Sequence, residues 1–293
     1  MTLSSLLESL GDEIQAPDEE TYDLFAQSLP SHSLGFIDPK ALTLDLTIAG
    51  RDLVIHQSPG ILSSNRAGGT TGAVLWKVTP LFAAWFSSPS LNPLFTHSIL
   101  TPSSYILELG CGISALVGLL TAPHISRYVL TDQPYVSKLV EANIAENTAA
   151  ATKRGGGRHK PSSSSSKPTA TDDKKLIFTP LDWELSTPNP SLTASSTTHS
   201  FDAVVACDCI YNEALIDPFV AACADVCRLR SPEEGGPTVC VVGQQLRDPE
   251  IFEAWLEAFC RVFRVWRVPG EVLGEGMGEG SGFVVHLGVL KEG

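Results

Sequence analysis

One stretch near the middle of the chain, Ile-Leu-Glu-Leu-Gly-Cys-Gly at positions 106–112, constrains the fold more than any other. An apolar run that ends in an acidic residue and a glycine turn is typical of a buried strand that leads into a helix. The next apolar run, Tyr-Val-Leu-Thr-Asp, ends at Asp132, about twenty residues after Gly112, and a carboxylate at this spacing meets the ribose of a bound nucleoside. The sequence therefore predicts a nucleoside-cofactor site.

Glu108 indicates which cofactor this is. Residues 110–115 match the G-x-G-x-x-G/A pattern of dinucleotide enzymes, but a single match of this kind is weak. A carboxylate just before the glycines would repel a pyrophosphate, whereas the ammonium and sulfonium of S-adenosylmethionine would attract it. The motif thus favours a methyltransferase. The alternative, that Glu108 is a surface residue beside an ordinary strand–helix turn, is disfavoured by the spacing to Asp132.

Strands and helices alternate from about residue 105 onward, which predicts a parallel sheet with helices on both faces. The glycine-rich run at 274–282 leaves no room for a helix between the last two predicted strands, so these should be antiparallel. Asp248-Pro249 has the pattern of a helix start. We predict a Rossmann-like α/β fold with seven mostly parallel strands and an antiparallel last strand.

The chain is predicted to divide near residue 100. Residues 1–100 should form an N-terminal extension of helical pieces, a β-hairpin over 42–55, a glycine-rich loop, and a helix over 74–86 that Pro80 breaks or kinks. Residues 101–293 should form the methyltransferase core. Two low-complexity inserts, at about 149–175 and 186–200, cannot bury apolar surface and are expected to be disordered.

Composition restricts the partners. The 293 residues include 20 Lys and Arg against 33 Asp and Glu, a net charge of -13, which argues against nucleic acid and is compatible with a basic protein substrate. The seven cysteines are scattered without zinc-site spacing, so no metal is expected and the compartment should be reducing. No signal peptide or membrane span is predicted. We expect a cytoplasmic protein, with a nuclear location as the alternative, and favour a monomer.

Two further strand ends carry candidate site residues. After the third strand, Trp183 could lie against the adenine and Asp182 could accept its exocyclic amine, although Trp183 could also be a core residue. After the fourth strand, Asp208 could hold a lysine ammonium and Tyr211 could pack on its stem or head. The alternative is that Asp208 caps the next helix and Tyr211 only packs. Ligands gather at these strand ends, which favours the functional interpretation.

Five short motifs resemble the seven-β-strand protein-lysine methyltransferases of family 16. They are G-x-x-L-W at 72–76, E-L-G-C-G at 108–112, T-D-Q-P at 131–134, L-D-W at 181–183 and A-C-D-C-I-Y at 206–211. The resemblance covers roughly residues 40–290. Within the family, the chain is most similar to the fungal ribosomal lysine methyltransferases of type five.

The resemblance implies S-adenosylmethionine-dependent methylation of a lysine on a large-subunit ribosomal protein of the L1 type. It places the target lysine at Asp208 and Tyr211. Together with the residues argued above, it gives these cofactor-binding positions: Trp76, Glu108, Gly110, Cys111, Gly112, Asp132, Asp182, Trp183 and Cys207. The rival hypotheses are a methyltransferase for a small molecule or nucleic acid, and a non-catalytic cofactor-binding module.

Overall fold

The computed structural model of the chain describes residues 3–29, 35–66, 69–155 and 174–291, with side chains of the third range described to residue 149. Its N-terminal part contains two helices, a hairpin and three further short helices. These are α1 (Leu3–Leu10), α2 (Pro17–Phe25), β1 (Thr43–Ile48), β2 (Arg51–His56), α3 (Pro59–Leu62), α4 (Val78–Phe86) and α5 (Pro93–Thr96). The hairpin turns at Ala49 and Gly50, whose φ angles of +48° and +73° suit a tight two-residue turn. The predicted helical pieces and hairpin are therefore confirmed.

A seven-stranded sheet forms the core of the fold. Its strands are β3 (Tyr105–Leu109), β4 (Arg127–Asp132), β5 (Leu176–Pro180), β6 (Ala203–Cys207), β7 (Val239–Gln245), β8 (Phe263–Arg267) and β9 (Phe283–Leu290). They lie in the order β5-β4-β3-β6-β7-β9-β8. Only β9 runs against its neighbours, since it pairs antiparallel with both β7 and β8. The predicted mostly parallel sheet with an antiparallel last strand is confirmed.

Helices cover both faces of the sheet, as predicted. The remaining helices are α6 (Leu116–Thr121), α7 (Ser137–Gly155), α8 (Ile216–Arg228) and α9 (Pro249–Val262). Side chains alternate along each strand, so Ile106 packs with α4 and α6 on one face while Leu107 packs with α8 and α9 on the other. Asp248 caps α9 as predicted, because its carboxylate accepts the N–H groups of Glu250 and Ile251.

Two asparagines of α7 attach the N-terminal hairpin to the core. Asn147 accepts the N–H of Val54 at 2.9 Å and donates to its carbonyl at 2.9 Å. Asn143 makes the same pair of bonds with His56, at 2.8 and 2.9 Å. The side-chain amides thus replace a neighbouring strand along β2. This fixes the extension against the core and places the loop after β2 beside the sheet.

Two local predictions need correction. Residues 186–200 were expected to be disordered, yet they contain a 3-10 turn, Pro190–Thr193, in which Leu192 is buried. Arg127 donates to the carbonyls of Thr193 and Ala194, so a buried guanidinium holds this segment in place. Pro80 does not break a helix, because α4 begins at Val78 and a first-turn proline forfeits no helical hydrogen bond.

The first predicted insert begins later than expected. Helix α7 continues to Gly155, which is inside the expected insert of 149–175. Residues 156–173 lie outside the described residues, so the prediction made for them stays a prediction. Among the described residues, no helix is long and apolar enough to cross a membrane.

Candidate active site

A cavity of about 920 Å³, including its open mouth, lies at the carboxyl edge of β3, β4 and β6. Parallel strands bring their carboxyl ends to one edge of the sheet, so residues distant in sequence meet there. All eleven residues predicted from the sequence line this cavity. They are Trp76, Glu108, Gly110, Cys111, Gly112, Asp132, Asp182, Trp183, Cys207, Asp208 and Tyr211.

The glycine turn after β3 depends on close contacts with other parts of the chain. Gly110 and Gly112 have φ angles of +68° and +57°, which glycine adopts without strain. A Cβ on Gly110 would lie 2.6 Å from the sulfur of Cys209, and one on Gly112 would lie 3.2 Å from the carbonyl oxygen of Gly72. Both glycines are predicted from the sequence to be cofactor-binding positions. The structure adds that Cys209 and Gly72 also require them.

Asp132 is held at the end of β4 by backbone donors. Its Oδ2 accepts the N–H of Gly112 at 2.8 Å, and its Oδ1 accepts the N–H of Gln133 at 2.6 Å. Burial raises the pKa of Asp132 to about 6, although both hydrogen bonds act to lower it. The carboxylate is therefore fixed at the glycine turn and faces the cavity, where ribose hydroxyls could donate to its remaining lone pairs.

Glu108 is a buried carboxyl of the site with an unpaired oxygen. It is 2% exposed, and its Oε2 has no hydrogen-bond partner among the described residues. Burial raises the pKa of Glu108 to about 8; the side chain of Tyr128 opposes this shift, and the nearby charge of Asp132 adds to it. A buried carboxyl with an unpaired oxygen needs a donor or a cation. The ammonium of S-adenosylmethionine is such a group, so the residues present fit this cofactor at the end of β3.

Trp183 lies between the core and the cavity. Its ring meets Phe219 edge-on at 5.3 Å between centroids, which is the packing expected of a core residue. Its other edge reaches within 3.0 Å of the position of a Cβ on Gly110, and its buried Nε1 has no partner among the described residues. The neighbouring Asp182 uses Oδ1 to accept the N–H of Glu184 at 3.0 Å. Trp183 is therefore both a packing residue and a wall of the cavity.

Asp208 follows β6 in a left-handed conformation, with φ of +62°. A non-glycine residue in this conformation is uncommon and is often found at functional sites. Its Oδ1 accepts the N–H of Gln245 at 3.3 Å, and its Oδ2 pairs with the guanidinium of Arg247. Burial raises the pKa of Asp208, whereas Arg247 acts to lower it. Asp208 does not cap the following helical turn, because Asn212 does so by accepting the N–H of Ala214.

Tyr211 and Trp76 stand at the cavity mouth. Tyr211 is 38% exposed, and its hydroxyl lies 3.3 Å from the position of a Cβ on Gly69. Trp76 donates from Nε1 to the carbonyl of Thr71 at 3.2 Å and packs on the ring of Phe36 at 4.2 Å. The segment that precedes α4 therefore covers the glycine turn from the N-terminal side.

Sequence reasoning missed two arginines near the cavity. The guanidinium of Arg66 lies 4.2 Å from the ring centroid of Tyr135 and donates to Gly69 and Gln133. Arg247, just after β7, pairs with Asp208, and its guanidinium lies 4.5 Å from the ring centroid of Trp76. The only sequence signal for Arg247 is its place just past a parallel strand end. No cluster of metal-binding side chains occurs among the described residues.

Comparisons with known proteins agree with this geometry. A family model described as "Lysine methyltransferase" matches residues 56–155. The "Ribosomal lysine N-methyltransferase 5" of Zygosaccharomyces rouxii is 33% identical over 225 residues, which is 70% of this chain and 70% of that protein. A Schizosaccharomyces pombe protein named "Diaminohydroxyphosphoribosylamino-pyrimidine deaminase" is 32% identical over 249 residues, which is 85% of this chain and 52% of that protein.

Among solved structures, N-methyltransferase NodS from Bradyrhizobium japonicum, in complex with S-adenosyl-L-homocysteine, aligns with 64% of this chain and 79% of its own. The identity is 16% and the TM-score is 0.37, so the fold assignment depends on the strand order above. The strand order and the cavity at the carboxyl edge define a class I methyltransferase fold. The chain belongs to the lysine methyltransferase family. It spans about half the length of the S. pombe relative.

Proposed function

We propose that this chain is an S-adenosylmethionine-dependent protein-lysine N-methyltransferase. One observation carries the proposal: the carboxyl groups of Glu108, Asp132 and Asp208 all line a single cavity, at the ends of three adjacent parallel strands. Glu108 and Asp132 lie near the glycine turn and suit a cofactor that bears an ammonium and a ribose. Asp208 lies beyond them, next to Tyr211 at the cavity mouth, and suits a cationic acceptor.

The proposed cofactor contacts follow from these positions. Glu108 would pair with the ammonium, and Asp132 would accept from the ribose hydroxyls. Trp183 would pack on the adenine, with Asp182 as acceptor for its amine. The backbone of Gly110, Cys111, Gly112 and Cys207, together with Trp76, would enclose the rest. Burial raises the pKa of the Cys111 and Cys207 thiols, so both remain protonated packing groups.

The bound cofactor would supply an electrophilic methyl group on a sulfonium. The chain's own residues would bring a lysine to it, hold the amine in line and exclude water. Asp208 would attract the lysine ammonium on arrival and stabilise the methylated cation afterwards. The lysine must lose its proton to solvent before it can react, because only the neutral amine has a free electron pair. Tyr211 would pack on the aliphatic stem.

The proposed substrate is a ribosomal protein. Relatives similar to most of this chain are named ribosomal lysine N-methyltransferases. A large-subunit protein of the L1 type is the substrate that the sequence resemblance implies. The net charge of -13 favours a basic protein partner. We also propose that the chain acts as a monomer, without direct contact with nucleic acid.

A transfer assay tests the proposal. The pure protein is incubated with methyl-labelled S-adenosylmethionine and an extract of cells that lack the enzyme. The expected result is one labelled band in the ribosomal fraction, whose modified lysine is then identified by mass spectrometry. Asp208→Ala should abolish the label, and its affinity for S-adenosylhomocysteine should stay within about threefold of wild type, since Asp208 is not proposed to contact the ammonium or the ribose.

Three outcomes would contradict the proposal in different ways. Label in RNA or in solvent-extractable material would identify a nucleic-acid or small-molecule methyltransferase. Cofactor binding without formation of S-adenosylhomocysteine in any extract would indicate a non-catalytic module. Loss of cofactor affinity in a folded Asp208→Ala protein would show that Asp208 binds the cofactor and does not serve the target lysine as proposed.

A further inference from the structure

The carboxylate at the acceptor end of the cavity is already paired with a cation. Arg247 forms an ion pair with Asp208, and its guanidinium lies 4.5 Å from the ring centroid of Trp76. The side chain of Asp208 is 2% exposed, whereas that of Arg247 is 25% exposed. Asp208 and Trp76 line the cavity, whereas Arg247 does not line it and contacts these two lining residues.

A carboxylate beside an aromatic face is also what an alkylammonium requires. The carboxylate supplies the opposite charge, and the electron-rich face of a tryptophan attracts a cation within about 6 Å of its centroid. These are the groups that a target lysine would need under the proposed function. The arginine and the lysine therefore compete for the same two partners.

We propose that Arg247 determines specificity by occupying the acceptor-cation position, from which a target lysine must displace it. This inference rests on the proposed function, and it adds a residue that the family resemblance does not assign. Arg247 directly precedes Asp248, the cap of α9, so its backbone is anchored while its partly exposed side chain can swing into solvent.

Exchange of one cation for another has a physical advantage. A buried carboxylate without a partner is strongly unfavourable. With Arg247 in place before the substrate arrives, Asp208 is paired both in the free protein and in the complex. A neutral side chain that displaced the guanidinium would leave Asp208 unpaired. The pair thus selects for a cationic side chain.

Steady-state kinetics with the protein acceptor give the first test. Removal of the competitor in Arg247→Ala should lower the KM for the acceptor about tenfold at a pH high enough to keep Asp208 ionised without its partner, while kcat stays within about threefold of wild type. Arg264→Ala is the matched control, because it removes an arginine paired with Glu13 at 2.7 Å, outside the cavity, and should change neither constant. If Arg247→Ala does not fold, Arg247→Gln serves in its place, with the melting temperature measured for each variant.

A small cation gives a test that needs no catalysis. Saturation-transfer difference NMR would measure binding of n-butylammonium, with 1-butanol as the neutral probe. At a pH that keeps Asp208 ionised, Arg247→Ala should bind n-butylammonium at least about tenfold more tightly than wild type does. The added substitution Asp208→Asn should abolish this gain, and 1-butanol should bind none of the variants.

Arg247→Lys provides a further signature that a purely structural arginine would not give. A lysine at this position would place its own amine at the acceptor end. The neutral nitrogen would form the N–CH3 bond as the S–CH3 bond of added S-adenosylmethionine breaks, with release of S-adenosylhomocysteine and of a proton to solvent. We expect methylation of position 247 by mass spectrometry, which Arg247→Lys combined with Asp208→Ala should lack.

The outcomes separate this inference from the proposed function. An unchanged or higher KM in Arg247→Ala, with a fall in kcat like that of Asp208→Ala, would show that Arg247 only orients Asp208 and would overturn the inference while methylation by the wild type stands. If the wild type methylates no protein, the NMR titration still decides: equal n-butylammonium binding by wild type and Arg247→Ala overturns the inference.

Discussion

The raised pKa of Glu108 makes a quantitative prediction about cofactor binding. In the free protein this carboxyl has a pKa of about 8, because it is buried and lies near Asp132. At pH 7 about nine-tenths of the molecules therefore carry a neutral Glu108. Pairing with the ammonium of the cofactor requires the ionised form. Binding should thus release a proton from Glu108.

The size of the pH effect on affinity follows from the linkage between cofactor binding and proton release. Well below a free-state pKa of 8, the affinity should rise about tenfold per pH unit, which corresponds to about 1.4 kcal/mol. Asp132, with a pKa of about 6, adds its own dependence at lower pH. The interval from pH 6.5 to 7.5 lies above the titration of Asp132 and below that of Glu108. The change of affinity with pH in this interval should therefore come from the titration of Glu108.

Isothermal titration calorimetry with S-adenosylhomocysteine tests this prediction. Runs at pH 6.5, 7.0 and 7.5, each in two buffers of different ionisation enthalpy, give both the affinity and the number of protons released. Wild type should release about one proton. Glu108→Gln should bind S-adenosylhomocysteine more weakly than wild type at pH 7.5, and its affinity should not change with pH. The difference in affinity between the two proteins should therefore shrink about tenfold at pH 6.5. A flat wild-type profile, or the same slope in Glu108→Gln, would refute the reasoning.

Three other substitutions test the geometry. Gly110→Ala should lower the free energy of unfolding by about 1–3 kcal/mol, because alanine meets the Cys209 sulfur and a positive φ; an unchanged urea midpoint would contradict this. Asp132→Asn should weaken adenosine binding about tenfold in equilibrium dialysis, since a neutral amide accepts ribose hydroxyls less strongly; equal affinity would remove Asp132 from the ribose contact. Asp248→Ala should cost about 1 kcal/mol of stability by urea denaturation, while Asp248→Asn retains the helix cap.

The positions of the acidic site residues could be predicted because they depend on strand ends. Glu108, Asp132 and Asp208 each belong to the last residues of an apolar run or directly follow one, and parallel topology brings such ends to a common edge. Their prediction required no knowledge of contacts between residues that are distant in sequence. The helix cap at Asp248 and the hairpin turn were equally predictable, because both depend on neighbouring residues alone.

The pairing of Arg247 with Asp208 could not be predicted in this way. It depends on the left-handed backbone at Asp208 and on the placement of Trp76, which comes from a different part of the chain. The order of residues 186–200 was missed for a similar reason. Their serine-rich composition is typical of a flexible loop, but Arg127, far away in sequence, supplies the donors that hold the turn.

The start of β5 offers a place to attach a reporter. Helix α7 follows one parallel strand and precedes another, so it must return the chain to the amino edge of the sheet. There the carbonyl of Lys175 accepts the N–H of Tyr128 at 2.7 Å. The preceding residue, Lys174, is exposed and lies at this edge, opposite the cavity. A fluorophore attached at position 174 should leave turnover unchanged, so substrate encounters could be followed without obstructing the cavity mouth.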